Sequence, residues 1–165
     1  TRTFPINGRF TNDQLQLYDI VLSAQEAAIA QVHPGNTWNQ PHEAAINVIS
    51  QGLIDLGLLI GPLDQVIEEQ QYRKFYMHKT GHWLGMDVHD VGDYQIGGKW
   101  RLLEPGMALT IEPGIYIPPD HTTESHWHNI GIRIEDDILV THNGHQILTN
   151  GVPKMPKDIE ALMNN

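Results

Sequence analysis

Cysteine is absent from the 165 residues, so neither a disulfide framework nor a thiolate metal site can form, and any metal must be held by His, Asp and Glu. Basic residues are few. Ten Lys and Arg against twenty Asp and Glu give a formal charge of −10, which repels phosphate backbones and anionic lipid, and no basic cluster offsets it. Nucleic acid and membrane surfaces are therefore not expected partners. Long apolar runs are also missing. None approaches the roughly 18 residues of a membrane-spanning helix, and no basic start followed by an apolar stretch marks a signal peptide. A soluble, cytoplasmic protein is the expectation.

What is present describes one globular domain: 40% apolar and 18% charged residues, with every aromatic type represented and no internal repeat. TRTFPING reads as a strand-like run already under way, so we expect a longer polypeptide upstream. Thr11-Asn12-Asp13-Gln14 matches a capping box ahead of Leu15, Tyr18, Leu22, Ile29 and Val32, predicting a helix that stops at His33 before Pro34-Gly35. A second helix is predicted from Pro41 to Gly57, with Ala45, Ile49, Leu53 and Ile54 inward, and a third over Pro62 to Arg73. From Met107 the period becomes two. MALTIEPGIYI predicts a strand broken at Pro113-Gly114, and NIGIRIEDDILVT a hairpin turning at Asp136-Asp137, with Ile130, Ile132 and Ile134 on one face and Arg133 and Glu135 on the other. Lys157 to Met163 is predicted as a short closing helix. Helices first and antiparallel strands afterwards point to an α+β fold.

The chemistry-bearing residues start in HKTGHWLGMDVHDVG, which holds His78, His82 and His89. His78 and His82 have the four-residue spacing of a zinc-protease helix, but Lys79 stands where that motif needs glutamate, and Gly81 and Gly85 favour a loop. Ligation at His82 and simple loop hydrogen bonding both remain open on spacing alone. Glu112 and Glu135 lie on apolar, alternating strands, where a carboxylate is costly unless a charge or metal meets it. Arg133, roughly 6.5 to 7 Å from Glu135 along the strand, offers an ion pair as the plainer explanation. His121, His126 and His128 form a denser cluster, but their Pro- and Thr-rich surroundings read as an exposed loop. His142 and His145 flank a turn signal at Asn143-Gly144, and His33 and His42 show no partner.

Four stretches in order, TRTFPINGRFT, HWLGMDVHDVG, TIEPGIYI and GIRIEDDILVT, together resemble proline-specific aminopeptidase P of the pita-bread metallopeptidases. That resemblance implies a pita-bread fold of helices packed on a curved antiparallel sheet, of which residues 1–165 would be the C-terminal part of the catalytic domain. It implies a site of two divalent ions, most often manganese, with cobalt, iron and zinc also compatible. Carried over by motif, His82, Glu112 and the bridging Glu135 are metal ligands. His78 and His89 contact substrate, and Arg133 pairs with an active-site carboxylate. Two further aspartate ligands would lie before TRTFP, outside this sequence. Lys79-Thr80-Gly81 also replaces the usual Gly-Leu-Ser or Gly-Leu-Gly, which leaves the metal position intact but alters the substrate wall.

The activity implied is removal of the N-terminal residue from peptides with proline second, by attack of a metal-bridging hydroxide on the peptide carbonyl, with Glu112 shuttling the proton. The resemblance also implies a homo-oligomer. A prolidase-like dipeptidase and a non-catalytic binding module of the same fold are the alternatives.

Overall fold

The structure is a computed structural model describing residues 1–120 and 122–164. Helix α1 (Asn12–Ala30) begins with the expected capping box: the Thr11 hydroxyl accepts from the Gln14 N–H, and the Gln14 side chain accepts from the Thr11 N–H. Its inward stripe is Leu17, Tyr18, Val21, Leu22, Ala24, Gln25, Ala28 and Ile29, whereas Leu15 faces solvent. The helix ends three residues before His33. The N–H groups of Gln31 and Val32 bond to carbonyls three residues back, tightening the exit ahead of Pro34. Helix α2 (Gln40–Asp55) packs along α1 and buries Ala45, Ile49 and Leu53, with Ile54 only partly covered. The expected third helix divides into α3 (Leu63–Glu68) and a 3-10 turn (Gln71–Lys74), because Gln70 between them takes a left-handed conformation at φ 54°.

After a small exposed hairpin, β1 (Gln95–Ile96) and β2 (Lys99–Trp100), come β3 (Ala108–Ile111), β4 (Gly114–Tyr116), β5 (Gly131–Arg133), β6 (Asp136–Thr141) and β7 (Gly144–Ile147). The expected curved sheet is interrupted: β3-β6-β7 forms one antiparallel ladder and β4-β5 another. The hairpin expected at Asp136-Asp137 is not there. Both residues lie inside β6, opposite Ile111 and Thr110, and β5 runs on into β6 while pairing with β4. The chain reverses instead at His142-Asn143, between β6 and β7.

Both interruptions fall at the same level. Ile111 pairs with Asp136 and Gly114 with Arg133, so Glu112-Pro113 lies opposite Ile134-Glu135. Pro113 has no N–H to continue a ladder, which fixes the break in sequence. Isoleucines 132 and 134 turn into the core with Ile115, Ile117 and Ile138, as the alternation requires. Helix α4 (Pro156–Met163) then docks through Ile159, leaving Leu162 exposed.

Candidate metal centre

The histidine-bearing segment is a loop, and it runs beside β3 as an irregular extra strand. The N–H of Glu112 donates to the Thr80 carbonyl at 2.7 Å, that of Thr110 to His82 at 3.0 Å, and that of Leu84 to Ala108 at 3.0 Å. Gly81 makes this approach feasible. A Cβ there would sit 2.0 Å from the Thr110 carbonyl oxygen, so no other residue fits without moving β3. Through this pairing His82 is delivered to the level of Glu112.

The side chains then converge. His82 Nε2 lies 3.2 Å from Glu112 Oε1, and ligand atoms of His82, Glu112 and Glu135 all lie within 4.8 Å of one another, with side chains 14%, 13% and 17% exposed. His82 Nδ1 donates to the Trp83 carbonyl at 2.9 Å, which turns Nε2 toward the Glu112 carboxylate. Two carboxylates directly opposite in a sheet gap are unfavourable unless a cation lies between them. These donors fit a divalent ion: one oriented imidazole and two hard carboxylates.

Arg133 Nε is 3.8 Å from Glu112 Oε2, beyond hydrogen-bond range, and its Nε–H has no partner among the described residues. The arginine therefore does not by itself neutralise the pair. Thr110 Oγ1 donates to Glu112 Oε1 at 3.2 Å and receives the His82 N–H at 3.1 Å. Burial raises the pKa of Tyr116, and the Arg133 charge offsets this only in part. For Glu135 burial pushes the carboxyl upward, whereas the hydrogen bond from the Thr1 hydroxyl and the Arg133 charge pull it down.

The remaining expected residues border this cluster. His89 is exposed and lies edge-on to the His82 ring, centroids 4.3 Å apart. His78 Nε2 shares a hydrogen bond of 2.9 Å with the Tyr116 hydroxyl. Tyr116 was not singled out from the sequence, although its position four residues after Glu112 puts it on the same strand face. A second missed set lies behind the loop. His42 Nδ1 bonds Thr80 Oγ1 at 2.7 Å, which in turn bonds the Tyr76 hydroxyl at 2.5 Å, so His42 does have a partner. Burial, then the charges of Lys79, His78 and Arg73, lower the His42 pKa to about 4.

The other histidines have local roles. His126 is exposed beside Glu124 at 3.3 Å, and His128 Nε2 bonds the Thr123 carbonyl, while His121 lies outside the described residues. His145 Nδ1 meets the Val32 carbonyl and His33 Nδ1 the Pro34 carbonyl. Among the described residues, His82, Glu112 and Glu135 are the one group of three such side chains close enough to share an ion.

Residues 1–142 match the pattern of metallopeptidase family M24. The chain is 52% identical to an Xaa-Pro aminopeptidase of Haemophilus influenzae and 47% identical to that of Escherichia coli, over 99% of its own length in both cases. It spans only 38% and 37% of those relatives. Among solved structures, the Pseudomonas aeruginosa aminopeptidase PepP superposes with a TM-score of 0.97 at 58% identity, over 99% of this chain and 37% of that one. An Escherichia coli aminopeptidase P superposes at 0.94 and 46%, with the same coverage. The fold is thus the pita-bread architecture that the four motifs imply. With the family pattern covering most of its length, the chain belongs to metallopeptidase family M24.

Proposed function

We propose that this chain is the C-terminal part of the catalytic domain of a metal-dependent aminopeptidase that removes the N-terminal residue from peptides with proline second. The observation that carries the reading is the convergence of His82, Glu112 and Glu135 within 4.8 Å in a break shared by two strands. Two divalent ions bound there, completed by two aspartates from an upstream segment, would supply Lewis-acid polarisation of the peptide carbonyl and acidify water. Hard oxygen donors with a single imidazole suit manganese. A zinc-substituted form is known for the Escherichia coli enzyme in complex with product.

The chain's own residues take the remaining tasks. Glu112 accepts and passes a proton, its second oxygen facing Arg133. His78 Nδ1 donates to the Lys79 carbonyl at 2.8 Å, so Nε2 of the neutral ring accepts from the Tyr116 hydroxyl, and only the protonated ring has an Nε2–H to offer a carbonyl oxygen gaining charge. His89, exposed beside His82, is placed to touch the peptide. A cytoplasmic setting and a homo-oligomer belong to the same reading.

Three ligands with two carboxylates cannot balance two divalent ions, so the isolated 165 residues are expected to bind at most one ion weakly and to lack turnover. Metal content and cleavage of an Xaa-Pro tripeptide, compared with a chain extended upstream, test this. Two ions or substantial turnover in the isolated chain would overturn it. Equal turnover of an Xaa-Pro dipeptide by the extended chain would point to the prolidase-like alternative.

A further inference from the structure

Glu135 falls in the gap between β5 and β6, so its backbone groups need partners from outside the ladder. Its N–H donates to the Thr1 carbonyl at 3.0 Å, and its C=O accepts from Arg2 Nη1. The same Nη1 donates to the Thr1 carbonyl at 2.9 Å, so one guanidinium holds the Glu135 carbonyl directly and the Glu135 N–H through the Thr1 carbonyl oxygen they share. Arg2 Nη2 donates to Asp136 Oδ1 at 2.7 Å and to the Val152 carbonyl at 2.9 Å, and Nε to the Pro153 carbonyl at 2.9 Å. All five N–H bonds of the fork are engaged, which a lysine with three donors cannot reproduce.

The anchor is rigid. Asp136 is 1% exposed and also receives Thr149 Oγ1 at 2.7 Å, Gln25 Nε2 at 2.8 Å and Lys154 Nζ at 3.0 Å. Lys154 brings a second positive charge to Asp136, and its other hydrogen bond is to Gln25 Oε1. It makes no hydrogen bond to Glu135.

From this geometry we infer that Arg2 is a positioning residue for the metal centre: held on buried Asp136, it fixes the backbone of Glu135 and with it the direction in which the carboxylate faces His82 and Glu112. The inference rests on reading that cluster as a metal site. Partners that orient a ligand without touching the ion commonly tune affinity by about 10- to 100-fold.

The test uses the chain extended upstream, carrying Arg2→Lys, Arg2→Met or Lys154→Met, with manganese affinity measured by calorimetry and the melting midpoint recorded on the metal-free protein. Arg2→Lys keeps the charge against Asp136 and serves where Arg2→Met fails to fold. The expected result is a loss of metal affinity of about 10- to 100-fold for Arg2→Lys. Lys154→Met should lower the metal-free melting midpoint while binding manganese as the wild type does. Wild-type affinity in Arg2→Lys, or an equal loss in Lys154→Met, would reduce the cluster to a structural ion network and overturn the inference alone. A wild-type extended chain that binds no metal would overturn the reading of the site itself.

Discussion

Single side chains carry the chemistry, and the decisive ones are those whose surroundings contradict their charge. Glu112 and Glu135 face each other across a gap between strands, and Nε2 of His82 points at the first of them. Replacing Glu112 by Gln removes one of the opposed charges and the proton carrier together. In the extended chain Glu112→Gln should lower kcat on an Xaa-Pro peptide by about 10²- to 10⁴-fold, read by steady-state kinetics, while the fold persists. Wild-type kcat in that variant would remove Glu112 from the reaction. At this scale the sequence was informative because carboxylates on apolar strands stand out. Tyr116 and His42 did not stand out: each is half-buried, and each partner lies 38 residues away in the chain, at His78 and Thr80.

Among the elements, the site depends on an irregular segment lying against a regular one. The loop from Thr80 to Leu84 follows β3 because Gly81 allows contact with the Thr110 carbonyl and because Pro113 ends the ladder beyond Glu112. Gly81→Ala should therefore force the loop off β3. We expect a loss of roughly 1 to 3 kcal/mol in stability, measured by chemical denaturation, together with weaker metal binding. An unchanged denaturation midpoint would show that β3 yields more easily than its contacts imply. The capping box, the break at Pro113 and the period-two alternation were all legible in sequence, since each depends on neighbouring residues. The misplaced hairpin shows the limit. Asp136-Asp137 carries a turn composition, yet Asp136 is held inside a strand by Arg2, Gln25, Thr149 and Lys154, partners that no local pattern reveals.

Across the whole molecule, half-buried His42 and buried Asp136 make stability fall on acidification, in successive windows. His42 has its pKa lowered from 6.5 to about 4, so the unfolded chain binds the extra proton first and stability declines as pH drops from about 6.5 toward 4. For Asp136 burial pushes upward, but the hydrogen bonds from Arg2, Thr149, Gln25 and Lys154 win and hold it at about 2 against an ordinary 3.8. That group stabilises the fold fully above its ordinary value. The contribution, on the order of 2 kcal/mol, is lost as pH falls from near 4 toward 2. Urea denaturation across pH 2 to 7 should show both declines. His42→Phe should flatten the upper one, and a slope in the upper window that survives this substitution would assign it elsewhere.

The sequence by itself determined the fold class, the boundaries set by prolines and caps, the exclusion of thiolate metal sites, and the candidacy of His82, Glu112 and Glu135, because composition, period and motif spacing are local properties. It could not decide that two strand breaks coincide, that His82 Nε2 faces a carboxylate, or that Arg2 reaches the backbone of a residue 133 positions away. Those facts arise from long-range pairing, in which the register of β3 against β6 and of β4 against β5 sets the two carboxylates opposite each other. Only the tertiary structure brings together residues whose separation along the chain hides their shared charge.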